Sequence, residues 1–276
     1  MPSIPSHVSI NYTFLMEISA NEFPDTGNQD VVLKDSVYAA IGLAAASLEQ
    51  KLDFNAFLEN TVVPEAQIQN SEYRLLRRRF SIILGQWVPI QPDKLNMKCV
   101  YGIFQRLLNK EDPLNDLVVR ITAGRQLRHI LEPYEFSPTE FSEYAPSIIE
   151  SLMSLIQEIE VSETKMGLLE TVRVLVVNME HHVSQRWSWI DEQYLTSQIA
   201  PFSDSIVSLL PSLWEASGEE HLMKQIILTL LSSMIHSLKQ ESVRYHPLIL
   251  PLIQSSVNPE LVCTQRNSVE KRGSLY

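Results

Sequence analysis

Glu111–Glu132 reads EDPLNDLVVRITAGRQLRHILE, and its spacing decides the fold. Pro113 punctuates an acidic turn, and Asp116 opens an amphipathic helix. Val119, Ala123, Leu127, Ile130 and Leu131 fall on one face, the spacing of an α-helix with one buried side. With Arg120 as origin, apolar residues stand three, seven, ten and eleven positions on. The same frame recurs from Lys34, Arg77, Lys165 and Lys224. Three on come Val37, Phe80, Ala123, Leu168 and Ile227; seven on, Ile41, Leu84, Leu127, Val172 and Leu231. Ten on come Ala44, Trp87, Ile130, Leu175 and Met234; eleven on, Ala45, Val88, Leu131, Val176 and Ile235. All twenty positions are apolar. The origins lie 43, 43, 45 and 59 residues apart. A helical repeat of roughly 40–47 residues is the mark of a HEAT or armadillo solenoid. Ordinary bundles have no fixed repeat length.

The chain has 276 residues, a formal net charge of −11, 45 % hydrophobic residues and 8 glycines. So few glycines suit helices better than a turn-rich β protein. The acidic balance argues against nucleic acid, whose phosphates select Lys and Arg. It suits basic protein partners or plain solubility. Cys99 and Cys263, the only cysteines, offer neither a disulfide framework nor a Cys-based zinc site, so a reducing compartment is the default. The first twenty residues lack the basic start and apolar run of a signal peptide. No uninterrupted apolar run approaches the ~18 residues of a membrane span. The sequon at Asn11 carries no weight without a secretory signal.

Taken in order, residues 1–30 form a loose segment with room for a helix at Val8–Ala20, ending in a polar linker with Pro24 and Gly27. Residues 31–257 form the repeat array. Its inner-type helices start near Val31, Glu72, Asp116, Ser162 and Glu219. Outer-type helices span Phe54–Gln69, Asp93–Asn109, Glu140–Glu160 and Phe202–Trp214. Pro64 is expected to break the first and Pro146 to kink the third. Ser162 is a candidate N-cap for the fourth inner helix, which is expected to run to about Met179. The long interval accommodates an insert at 184–198, SQRWSWIDEQYLTSQ. Its two tryptophans suit either a surface anchor for a partner or an extra helix packed on its neighbours. The half-repeat HPLILPLIQSS at His246–Ser256 has no inner partner. Its open Leu248–Ile253 face reads as a cut through a longer array and predicts self-association. Residues 258–276 are polar and aperiodic, which predicts disorder. The total is about five helix pairs and a half repeat, without clear polar caps.

Chemistry-bearing motifs are missing. The glycines stand too far apart for a dinucleotide fingerprint or phosphate loop, and neither G-x-S-x-G nor H-E-x-x-H occurs. His181 and His182 point about 100° apart on a helix, a poor metal clip. His129, His221 and His236 have no Cys or acidic partner at ligand spacing that stands out. No catalytic, cofactor-binding or metal residue is assigned, and no cofactor is implied. Arg74, Arg77, Arg78 and Arg79 form the one basic cluster. It suits an acidic cargo tail or phosphate, or else salt bridges between repeats to Glu72, Glu111 and Asp112. Asp116 and Arg120 have the spacing of an i, i+4 ion pair that would tie one repeat to the next. Glu219 and Glu220 suit a helix start.

Several blocks, in this order, resemble the middle of the importin-β (karyopherin-β) family: Leu33–Ala45 (LKDSVYAAIGLAA), Arg77–Trp87 (RRRFSIILGQW), Asp116–Leu127 (DLVVRITAGRQL), Leu209–Trp214 (LLPSLW) with Gly218–Leu231 (GEEHLMKQIILTLL), and Tyr245–Gln254 (YHPLILPLIQ). The resemblance covers roughly Val31–Ser256. It implies an all-α, HEAT-type α-α superhelical solenoid acting as a nuclear import receptor. Such a receptor binds protein cargo on its concave face, passes FG nucleoporins and responds to Ran-GTP. It shuttles between cytoplasm and nucleus through the pore. The second helix of each pair would line the concave face. The family is several times longer, and its main Ran-binding region has no counterpart here, so no cargo-binding residue is carried over. The insert and the tail do not resemble the family. A Ran-independent HEAT scaffold or adaptor is the rival binding class. An enzyme would need a deep pocket with clustered titratable groups.

Overall fold

The protein is described by a computed structural model over residues 28–133, 135–186 and 199–257, with 28–30, 180–186 and 257 described by backbone alone. The N-terminal segment, most of the Trp-rich insert and the polar tail lie outside these residues. The chain divides into two units, Met1–Gln198 and Ile199–Tyr276. Among the described residues there is no strand.

In the first unit, inner helices α1 (Asn28–Leu43), α3 (Arg74–Trp87), α5 (Leu117–Leu131) and α7 (Ser162–Arg186) pack side by side in chain order. A second layer holds α2 (54–66), α4 (Met97–Leu108) and α6 (Ala145–Glu158). Two layers of antiparallel helices stacked by repeat are the HEAT arrangement. In the second unit α8 (Ser203–Ala216) packs on α9 (His221–Leu238) and α10 (His246–Val257). Of the twenty apolar frame positions, nineteen are buried; Ile235 alone is half-buried. On α10, Ile249 and Leu252 are buried while Leu248, Leu250 and Ile253 are exposed.

Prolines shape the outer layer differently from the sequence expectation. Pro64 does not break α2. A π-helical turn at Leu58–Val62 precedes it, with the Val63 N–H donating to the Leu58 carbonyl. The wider turn carries the helix past a residue that has no N–H and crowds the turn before it. Pro146 does not kink a long helix. A short turn, Pro138–Phe141, ends first, and Pro146 then sits in the opening turn of α6, where a missing donor costs nothing. α7 continues to Arg186 rather than stopping near Met179. Its first turn closes on the Val161 carbonyl, so Ser162 lies inside the helix.

The origin cations fasten the two layers together. Lys34 donates to Glu65 at 2.5 Å, and Glu65 also accepts from the Tyr38 hydroxyl at 2.9 Å. Arg120 holds Glu158 with two bonds of 2.6 and 2.7 Å. Arg77 has a side chain with no exposure to solvent. Its guanidinium meets Asp112 at 2.8 Å and donates to Asn115 Oδ1 at 2.7 Å and the Ile68 carbonyl at 3.3 Å, leaving its Nε unpaired. Burial raises the pKa of Asp112, but hydrogen bonds from Arg77, the Leu114 N–H and Gln69, with the charge of Arg77, more than offset this and hold it low. Inner helices are further tied through side-chain donors to backbone carbonyls: Trp87 to Ile41, Thr171 to Gly124 and Asn178 to Leu131.

α5 and α7 approach closely at Gly124. A Cβ there would stand 2.5 Å from Leu168 Cδ2 and 3.2 Å from Leu152 Cδ2. At Gly102 on α4 it would meet only Tyr144 Cε1, at 3.9 Å. Gly124→Ala is expected to destabilise, because ~1–3 kcal/mol of overpacking exceeds the ~0.5–1 kcal/mol gained by alanine in a helix. Gly102→Ala is expected to stabilise by that smaller amount. Urea unfolding of both variants checks the pair, and equal shifts would contradict the packing.

Asp112→Asn leaves the buried Arg77 charge uncompensated, at a cost of about 3–5 kcal/mol at neutral pH. The folded pKa of Asp112 lies below its unfolded value. Its contribution is therefore complete above ~4 and is lost as the pH falls through the folded value. The gap between wild type and variant in urea midpoint should shrink between pH 7 and pH 3. A constant gap would count against the ion pair.

Candidate protein-docking face

The helical frame that buries one stripe presents another. Positions two before and five after each origin lie on the side of the helix away from the buried stripe. On α1, α3 and α5 the earlier position holds Val32, Leu75 and Val118, which are 53, 40 and 55 % exposed. Leu33 and Leu117 widen this row, and Glu163 on α7 ends it. Ile82 on α3 and Ile121 on α5 are half-buried on the same side. The inner layer thus carries an apolar row across successive repeats rather than scattered single residues. Composition alone does not tell these positions from core, since both are apolar. Their register, five residues from a buried position, was the available signal.

Three of the four clustered arginines are bound into the fold. Arg77 is the buried group described above. Arg79 reaches across to α1 and holds Asp35 at 2.7 and 3.0 Å. Arg74 stands 3.7 Å from Asp116. The bridging expected between repeats is therefore present, with Asp112 among its acceptors, while Glu72 and Glu111 make no salt bridge among the described residues. Arg78 is exposed and has no ion pair among the described residues. Arg125 on α5 is likewise exposed and unpaired, lying against Gly167 of α7, where a Cβ would stand 3.0 Å from its Nε. Two further arginines on the inner layer are paired within their own helix or its end: Arg128 with Glu132 at 2.6 Å, and Arg173 with Glu170 at 2.6 Å. Hydrogen bonds from Arg173 hold the Glu170 pKa low.

The expected Asp116–Arg120 pair does not form. Asp116 caps α5 by accepting from the Val119 N–H at 2.9 Å, and Arg120 turns to Glu158 instead. Its hydrogen bonds lower the Glu158 pKa. His129 is half-buried, its Nδ1 3.6 Å from Glu132. The side chains of His181 and His182 lie outside the described residues. No group of three or more His, Cys, Asp or Glu among the described residues is placed to hold a metal. None of the described helices is long and apolar enough to cross a membrane.

A cleft of about 790 Å³ opens on the other layer between α2, α4 and α6. Small residues, Ala66, Gly102, Ser147 and Ser151, make the space, with Ile103 and Val63 on its wall. Cys99 lines it, and burial, then the charge of Glu59, raise its thiol pKa, the reverse of an activated nucleophile. The two faces of the stack therefore differ. The inner face is a broad apolar and cationic surface suited to a macromolecule. The outer cleft lacks the paired nucleophile and base that a hydrolytic site needs.

Comparison with known proteins agrees with this architecture. A family described as "Importin-11-like, TPR repeats" matches residues 225–263. The interval of 43 residues between inner helices is of HEAT rather than TPR length. The chain is 30 % identical over 230 residues to Importin-11 of Homo sapiens, covering 83 % of this chain and 21 % of that protein. It is 25 % identical over 247 residues to Importin beta-like protein kap113 of Schizosaccharomyces pombe, covering 89 % and 23 %. Importin beta-like protein KAP120 of Saccharomyces cerevisiae is 22 % identical over 237 residues, covering 83 % and 21 %. No solved structure gives a significant match. The chain spans about a fifth of the length of the curated relatives it matches. With matching repeats along most of its length and an all-helical stack beneath them, the chain belongs to the importin-β family.

Proposed function

We propose that the chain acts as the cargo-docking part of a nuclear import receptor, binding a protein partner on the inner-helix face. It catalyses no reaction. The observation that carries this reading is the similarity to Importin-11 over 83 % of the chain. The exposed row Val32, Leu75 and Val118 gives a partner apolar surface on successive repeats. Ran-GTP and FG nucleoporins are the further partners that the family implies, with shuttling between cytoplasm and nucleus through the pore.

The mechanism is linkage. If cargo and Ran-GTP favour different curvatures of one helical stack, each weakens the other by the same factor. A stack in which each repeat touches only its neighbours can distribute such a change over many small displacements.

The experiment is a titration of the purified chain with Ran-GTP, with Ran-GDP as control. GTP-selective binding is the expected result. Equal or absent binding of both forms, from a chain shown by circular dichroism to be helical, would mean either a Ran-independent scaffold or an import-receptor segment without its Ran switch.

A further inference from the structure

The overall charge of −11 points toward basic partners, but the inner face is locally different. Its acidic side chains are largely engaged. Asp35 is held by Arg79, Glu132 by Arg128 and Glu170 by Arg173. Asp116 is taken up in capping α5 and facing Arg74. Glu163, at the α7 end of the row, is the acidic boundary. Between these pairs stand Arg78 and Arg125, exposed and without ion pairs among the described residues. Around them lie Leu75, Ile82, Val118 and Ile121, all exposed or half-buried. Gly167, which has no side chain, leaves room for the Arg125 side chain to lie across α7.

We propose, resting on the docking reading above, that this face takes an acidic segment of a partner protein, with apolar side chains on the Leu75–Val118 row and carboxylates on Arg78 and Arg125. Spacing sets the form of the segment. Packed helices lie about 10 Å apart, so the apolar row repeats at about that distance. A helical partner matches it with apolar residues seven apart, about 10.5 Å along the axis. An arginine fork donates two parallel hydrogen bonds to a carboxylate, which adds register to attraction. Basic segments would place like charge against the two arginines and are disfavoured.

The test is selection of a random peptide display library on the full 276-residue chain, repeated on two variants. One is Arg78→Glu with Arg125→Glu; the other is Leu75→Asp with Val118→Asp. All four substitutions fall on exposed residues, and circular dichroism confirms that each variant keeps its helices. The expected outcome is enrichment of acidic peptides with recurring apolar residues. Binding should fall about tenfold on the charge-reversed variant, fall similarly on the apolar-to-Asp variant, and weaken with salt. Enriched peptides that are basic, yet depend on Leu75 and Val118, would overturn the acidic assignment while leaving the docking face in place. Peptides that bind wild type and both variants alike, or no enrichment at all, would overturn the assignment and the docking face together.

Discussion

A guanidinium sealed from water must find fixed acceptors, and Arg77 finds them in the turn that precedes the next inner helix. Asp112 and Asn115 both point at it. Those two side chains also build the turn itself. Asp112 accepts from the Leu114 N–H, and Asn115 donates to the carbonyls of Arg106 and Asn109. The residue after Asn115 is Asp116, the cap of α5. A single buried cation on α3 therefore specifies where α4 stops and where α5 starts. The stretch ending in DLVVR is legible as a helix start because its preceding turn is locked in this way.

The same logic explains why the repeat survives irregular outer helices. The inner helices α1, α3 and α5 are each held by a cation near the start and by an apolar stripe through the middle, and in several places an inner helix is tied by a side-chain donor to a neighbour's carbonyl. Lys34, Arg77 and Arg120 all play the first part, although their acceptors differ: Glu65 in α2, Asp112 in a loop, and Glu158 at the end of α6. Lys224 has a variant of the arrangement, 5.2 Å above the Trp214 ring. The outer layer is less constrained. It absorbs a π-helical turn before Pro64 and a broken start at Pro138–Phe141 without disturbing the inner order.

The fold was largely open to reading from sequence, since burial follows from period alone. Nineteen of the twenty frame positions are buried, and Gly218 ends α8 at a φ of +48°, as a breaker should. Partners were less legible. Arg120 has an acid four residues before it and another thirty-eight after it; only the distant one binds, since the near one is consumed in capping. Sequence spacing sees one helix at a time, and ion pairs between repeats depend on the neighbouring helix. The exposed apolar row is hard to read from sequence for a related reason. Val32, Leu75 and Val118 share the composition of core and are told apart from it only by angle. Likewise, the four-arginine cluster is one word in the sequence but four different environments in the fold, and of the four Arg78 alone is exposed without an ion pair among the described residues.

The dependence on Arg77 is the central claim, and hydrogen exchange of an Arg77→Met variant tests it directly. Methionine fills similar space without charge and leaves Asp112 and Asn115 without their donor. Faster exchange is expected in residues 109–120 and in α3, with α6 and α7 close to wild type. Uniform loss of protection across the first unit, or none at all, would contradict that dependence.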